Sequence, residues 1–459
     1  MFKSRAQRNI VMTEGSLWRT TLLFALPLFF SGLLQLLFNA ADTIVVGRFA
    51  GQEALAAVGS VGSLNALLVN IFLGLSIGAN VIVARSVGAK DYEKISSAVH
   101  TSITISLFSG VFLAFLGYFA ARPLLLLMGT PEDVIDLAVI YVRIIFLGMP
   151  IQMLYNFAAA ILRAVGDTKR PLYFLTAAGV VNVLLNLLFV IAFEMSVAGV
   201  ALATVLSQFV STALVVRSLV NRTDDVRLDV RKLRVDGKLL GQIIRIGLPS
   251  GIQSSMFSIS NILIQSSINS FGTIAMAGAA AATNLCSFIY QAVGAFQSTA
   301  TTFTGQNVGA RKPRRVMKTQ TVCQIWCLII TGLMGLGNLV FGEELISLYN
   351  TDPEVIKWGM QRIIPANAPY FLMGVHCIFS GGLRGMGYSF LPMCISLGGI
   401  CLIRVVWLAT AFQAYPTMIC LMLSHPISWI VTSLFMGFFY FVFYNRLKKQ
   451  HSALELAAE

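Results

Sequence analysis

The chain has 459 residues, of which 56% are hydrophobic and only 12% charged, whereas a soluble domain carries roughly 25% charged residues. With a mean hydropathy of +0.78, most of the length belongs in lipid, which excludes a soluble enzyme. The net charge of +13 lies in loops between apolar runs, the pattern of a polytopic membrane protein and not of a nucleic-acid binder.

Lys3, Arg5 and Arg8 make a basic start like that of a secretory signal. The apolar stretch from near Thr21 is too long for a cleaved signal and reads as the first span. Apolar runs exceeding about 20 residues, without strict alternation, predict transmembrane helices. They fall near 21–46, 54–83, 96–120, 137–161, 172–193, 196–219, 243–269, 276–303, 321–341, 360–380, 391–412 and 416–444. An even count puts both termini on one side. Loops and tails on that side hold 27 Lys and Arg against three (Arg48, Arg122 and Lys357) on the other, so both termini are expected to be cytoplasmic.

The first span carries a polar stripe. Ser31, Gln35, Asn39 and Asp42 are spaced 4, 4 and 3 residues apart, within about 80° of one helix face. Asp42 is the one carboxylate well inside an apolar run, and ionisable groups there are costly and usually functional. Ser31 leads the stripe; Gln35 and Asn39 are candidate cavity residues, and Asp42 a proton or cation site. Pro27 permits a kink in this span, or sits harmlessly in its first turn. In the fifth segment Asn182 and Asn186 share a face, and Thr204 follows in the sixth. Their oxygens suit a hard cation such as Na⁺ beside a carboxylate, or bond neighbouring helices.

The longest polar stretch, within 221–242, is the expected cytoplasmic linker between an N-terminal lobe (1–220) and a C-terminal lobe (243–459). The two repeat each other. Ala25-Leu26-Pro27 recurs as Gly247-Leu248-Pro249, Val87-Gly88-Ala89-Lys90 as Val308-Gly309-Ala310-Arg311, and Leu162-Arg163-Ala164-Val165-Gly166 as Leu383-Arg384-Gly385-Met386-Gly387. The offset stays between 219 and 222 through the loops. The fold class is therefore all-α and polytopic, with about twelve helices in two six-helix lobes related by a pseudo-two-fold axis, an arrangement suited to alternating access.

The second copy keeps a polar stripe (Ser254, Ser258, Asn261, Gln265) but has Ile264 where Asp42 would fall. Asn261 and Gln265 are further cavity candidates. Arg143 and Arg362 are repeat partners with expected structural roles, whereas Arg404 faces Val183 in the repeat and is a candidate for binding substrate. All seven cysteines lie in the second half; Cys323 and Cys327, at i and i+4, read as buried hydrophobes. The histidines form no ligand spacing, and no Walker, nucleophile-elbow or HExxH sequence occurs. No enzymatic activity, catalytic residue or bound cofactor is expected.

Phe38-Asn39-Ala40-Ala41-Asp42 leading into Val46-Gly47-Arg48, the Val-Gly-Ala-Lys/Arg loops, Leu162-Arg163-Ala164-Val165-Gly166-Asp167 and Ala198-Gly199-Val200-Ala201-Leu202-Ala203-Thr204 together resemble the multidrug and toxic compound extrusion (MATE) family over nearly the full length. Within the family, the chain resembles the bacterial DinF-like branch. The resemblance implies a V-shaped pair of lobes in the cell's inner, cytoplasmic membrane. It implies antiport of small organic, often cationic, compounds against H⁺ or Na⁺, with the lipid bilayer as the other partner, no nucleic acid, and a monomer. It assigns Asp42, Asn182, Asn186 and Thr204 to the coupling site, the ligands of Na⁺ if Na⁺ is used, with Asn186 standing where some members have Asp. The acid that other branches carry in the seventh helix is missing. A lipid-linked-precursor flippase is the rival reading, and a basic central cavity would favour it.

Overall fold

The computed structural model describes residues 10–456; Lys3, Arg5 and Arg8 lie outside the described residues. It is built of helices, and no strand occurs among the described residues. The first repeat supplies α1 (Leu17–Val45), α2 (Gln52–Ala89), α3 (Tyr92–Leu127), α4 (Glu132–Leu147), α5 (Met149–Ala164), α6 (Lys169–Leu187) and α7 (Ser196–Val220). The second supplies α8 (Gly237–Asn269), α9 (Thr273–Gly309), α10 (Pro313–Val340), the short α11 (Gly342–Ser347), α12 (Pro353–Asn367) and α13 (Tyr370–Gly385). It ends with α14 (Phe390–Ser396), α15 (Ile403–Ala409), α16 (Ala411–Ala414) and α17 (Met418–Leu456).

Among the described residues nine helical segments are long and apolar enough to cross a membrane, and the pairs α4–α5 and α12–α13, each bent by 46°, raise the number to eleven. The remaining predicted segment is α8, whose 33 residues include the polar stripe of Ser254, Ser258, Asn261 and Gln265. Both bends coincide with a proline, Pro150 at the start of α5 and Pro369 just before α13. Proline has no N–H to continue the helical ladder.

The repeat is written into the backbone. Lys90 and Arg311, ending α2 and α9, are left-handed with φ of 54° and 55°, and Gly51 and Gly272, preceding those helices, have φ of 91° and 94°. Gly tolerates that region freely. Lys90 reaches it at the C-cap of α2, where its N–H still bonds the Ser86 and Val87 carbonyls, and Arg311 one residue past the C-cap of α9. A π-helical turn follows α6 at Leu188–Ala192, and another follows α14 at Leu397–Leu402.

The chain forms two compact units, one holding Phe30–Gly251 and the other Met12–Phe29 with Ile252 onward. The opening helix of each repeat is thus divided. In the second unit the start of α1 sets Trp18 edge-on to Trp326 and Phe24 to Phe303. In the first, the start of α8 lies so close to α2 that a side chain at Gly74 would overlap the Gly251 backbone, the close approach that small residues allow between membrane helices.

Residues 221–242 do not run free of the first unit. Val226 and Leu228 are buried against Ile95, Val99 and Leu219. The Asp229 N–H donates to His100 Nε2 at 3.1 Å, and the Asp236 N–H to Thr101 Oγ1 at 3.1 Å. Arg384 occupies the last turn of α13, where it is buried and donates to Gln253 Oε1 at 2.7 Å.

Candidate functional site

Each unit encloses its own cavity. That of the first measures about 440 Å³ and is walled by α1, α2, α4, α5, α6 and α7. The α1 stripe contributes Gln35, Asn39 and Asp42; α6 contributes Asn182 and α7 Thr204. Asp42 is the only charged side chain among the lining residues. The stripe reaches α6 because Phe38 fills the space beside Gly179, where any side chain would overlap its ring.

Asn186 lies one turn beyond Asn182 on the same face of α6 and is fully buried. Its Nδ2 donates to Asp42 Oδ1 at 2.5 Å and to Asn182 Oδ1 at 3.3 Å. That leaves Asn186 Oδ1 buried without a partner, a cost seldom left uncompensated in a native structure. Thr204 Oγ1 donates to the Val200 carbonyl at 2.9 Å, so its lone pairs stay available. One carboxylate, two amide oxygens and a hydroxyl suit a proton on Asp42 or a small hard cation. Among the described residues no cluster of three His, Cys, Asp or Glu could hold a metal.

The same cavity is lined by Tyr141 on α4 and by Gln152, Tyr155 and Asn156 on α5, which sequence reasoning passed over. A signal was present: Gln152 and Asn156 form a polar i, i+4 pair in an apolar run, as the α1 stripe does. Pro27 sits well inside α1, which begins at Leu17, so it is not a first-turn proline.

The second cavity measures about 340 Å³ and collects Asn261, Gln265 and Arg404, together with Arg362, His376 and His425. Arg404 Nη1 donates to Asn261 Oδ1 at 3.3 Å, and Arg362 Nη1 to the Ala279 carbonyl at 3.1 Å. Arg143, the sequence partner of Arg362, turns elsewhere: its Nε donates to the Tyr118 carbonyl and its guanidinium lies 4.9 Å from the Tyr118 ring centre. Pairing the two arginines hid the cavity role of Arg362. Cys323 and Cys327 are free and buried in the α9–α10–α13 core.

The sequence pattern of the MatE family matches residues 27–188 and again 249–410. The probable multidrug resistance protein YoeA of Bacillus subtilis (strain 168) is 30% identical over 396 residues, covering 84% of this chain and 85% of that protein. The FAD transporter of Shewanella oneidensis is 24% identical over 380 residues, 81% of this chain and 83% of that one. The crystal structure of MATE in complex with MaL6 superposes with a TM-score of 0.90 at 22% identity, covering 97% of this chain and all of its own. With both repeats matched in register over most of its length, the chain belongs to the MatE, or multidrug and toxic compound extrusion, family.

Proposed function

We propose that this protein is a secondary active exporter of organic compounds, driven by a cation, H⁺ or Na⁺, that enters at Asp42. The observation that carries this reading is a single acid in an otherwise uncharged cavity, bonded to Asn186, whose own buried carbonyl lacks a partner. A lone carboxylate can alternate between a charged form and a form neutralised by one cation. The oxygens of Asn182, Asn186 and Thr204 would share the ion if it is Na⁺. The B. subtilis relative is named for multidrug resistance and the S. oneidensis relative for FAD, which supports organic substrates.

In the working cycle substrate loads from the cytoplasm, Asp42 takes its cation from outside, α1 bends at Pro27, and substrate leaves outward. One charge moving inward gains about 2.3 kcal/mol per 100 mV, and a tenfold ion gradient adds about 1.4 kcal/mol. One-to-one coupling would thus support several-hundred-fold accumulation of a neutral substrate. The excess of Lys and Arg on one set of loops supports cytoplasmic termini in an inner membrane.

The test is efflux of a fluorescent organic compound from proteoliposomes under an imposed Na⁺ or pH gradient, for wild type and Asp42→Asn. Efflux that follows one gradient in wild type and neither in the variant, with binding retained, supports coupling at Asp42. Equal responses in both proteins would remove Asp42 from the mechanism.

A further inference from the structure

The second cavity is chemically the reverse of the first. Two guanidinium groups and two imidazoles line it, and no Asp or Glu does. Among the described residues neither Arg362 nor Arg404 has a carboxylate within ion-pair distance. Arg404 is only 6% exposed, and its Nε–H is buried without a partner. Holding one uncompensated guanidinium away from water is costly, and two in one small space cost more. The planar fork of arginine matches carboxylate, sulfonate and phosphate oxygens, often in pairs. The remaining wall is aromatic: Tyr290, Tyr370 and Trp429 line it, with the rings of Tyr370 and Trp429 edge-to-face at 5.3 Å.

We infer that the cavity of the second unit, through Arg362 and Arg404, binds an organic anion that carries its acidic group on a flat apolar body. The guanidinium groups hold the acid, and the aromatic wall holds the body. The inference deepens the export reading by naming a substrate class, and it rests on that reading for the ligand's fate but not for its binding.

Purified protein in a zwitterionic detergent is titrated calorimetrically with 4-methylumbelliferyl phosphate, whose size suits a cavity of about 340 Å³. The neutral 7-methoxy-4-methylcoumarin, the cation ethidium and inorganic phosphate serve as comparisons. The expected result is that the aromatic anion binds at least about tenfold tighter than each of these. Arg404→Gln and Arg362→Gln should each weaken it about tenfold and leave the neutral coumarin within about twofold. Because a buried arginine can matter for folding, Asn261→Asp is the decisive variant. It keeps the side-chain shape and gives Arg404 a carboxylate where it now meets an amide oxygen at 3.3 Å, so it should abolish the preference for anions in a protein with an unchanged melting temperature.

Displacement of the probe by phosphatidylglycerol but not phosphatidylcholine would identify the anion as a lipid headgroup; no displacement by either would identify it as a soluble solute. Both keep the anion site. Equal binding of coumarin or ethidium, equal binding of inorganic phosphate, or an anion preference that survives Asn261→Asp would each overturn it. Transport driven through Asp42 is read in a separate assay, so failure here leaves coupled export standing, and the reverse also holds.

Discussion

The two cavities share a backbone plan and carry opposite charge. Asn39 and its repeat partner Asn261 line the first and second cavity respectively. Three residues after Asn39 stands Asp42; three after Asn261 stands Ile264, buried against Phe412 and Met418. Val183 of the first repeat is replaced by Arg404 in the second. Backbone features such as the left-handed Lys90 and Arg311 remain matched because loops and caps fix the fold. The lesson is that a repeat transmits architecture and not chemistry, so a site found in one half says nothing of its counterpart.

Several measurements could break this asymmetry, and removing the acid should have the largest effect. Asp42→Asn is expected to cut gradient-driven efflux at least about 100-fold, since an amide neither takes a proton nor balances a cation. Unfolding of purified variant and wild type should coincide within about 1 kcal/mol, because the amide can still pair with Asn186. If efflux survives, the first cavity is not the coupling site and the contrast between the halves loses its meaning. Next in size is Pro27→Ala, which restores a helical N–H in the middle of α1 and should slow efflux about tenfold by stiffening the helix that carries Asp42. Pro249→Ala, the same change in a helix without an acid, should stay within about twofold. Equal losses would mean that both helices move in coupling.

How much of this was readable without coordinates differs between the cavities. An acid inside an apolar run announces itself through cost, and the i, i+4 spacing of Gln35, Asn39, Asn182 and Asn186 announces a shared face, so the residues lining the first cavity lie close to the pattern in the chain. The second cavity is assembled from α8, α9, α12, α13, α15 and α17, and its members include lone Arg, His and Tyr residues whose meaning arises only when they meet. A three-residue length difference between the repeats added to the difficulty: the offset drifts from 222 at Pro131–Pro353 to 219 at Pro150–Pro369, and across that drift Arg362 pairs with Arg143, which occupies a different environment. The packing of residues 221–242 was not legible in their composition. Val226 and Leu228 are too sparse among charges to show a period, yet they close the base of a buried cluster.

A weaker perturbation tests how many carboxylates the first cavity needs. Asn186→Asp places a second acid within hydrogen-bonding reach of Asp42. Two carboxylates so close cannot both stay ionised without a cation between them. The variant should therefore lower the Na⁺ concentration for half-maximal efflux about tenfold, or, if protons drive transport, move the pH optimum upward. No change in either would place Asn186 outside the coupling site and leave its orphaned carbonyl a packing feature.

The smallest effect separates the two ions. Thr204→Val keeps the shape of the side chain and removes only the hydroxyl, which now bonds back to the Val200 carbonyl of its own helix. That carbonyl belongs to the helical ladder, so losing the hydroxyl should cost less than about 1 kcal/mol of stability. A proton on Asp42 needs no oxygen from Thr204, whereas a Na⁺ ion sheds water for every protein oxygen it gains. If Na⁺ is the coupling ion, the variant should raise its half-maximal concentration about threefold with the maximal rate unchanged. If protons are, efflux under a pH gradient should match wild type within error. A loss under both gradients would instead mean that Thr204 shapes the cavity for substrate, making the acidic cavity a site of drug as well as ion.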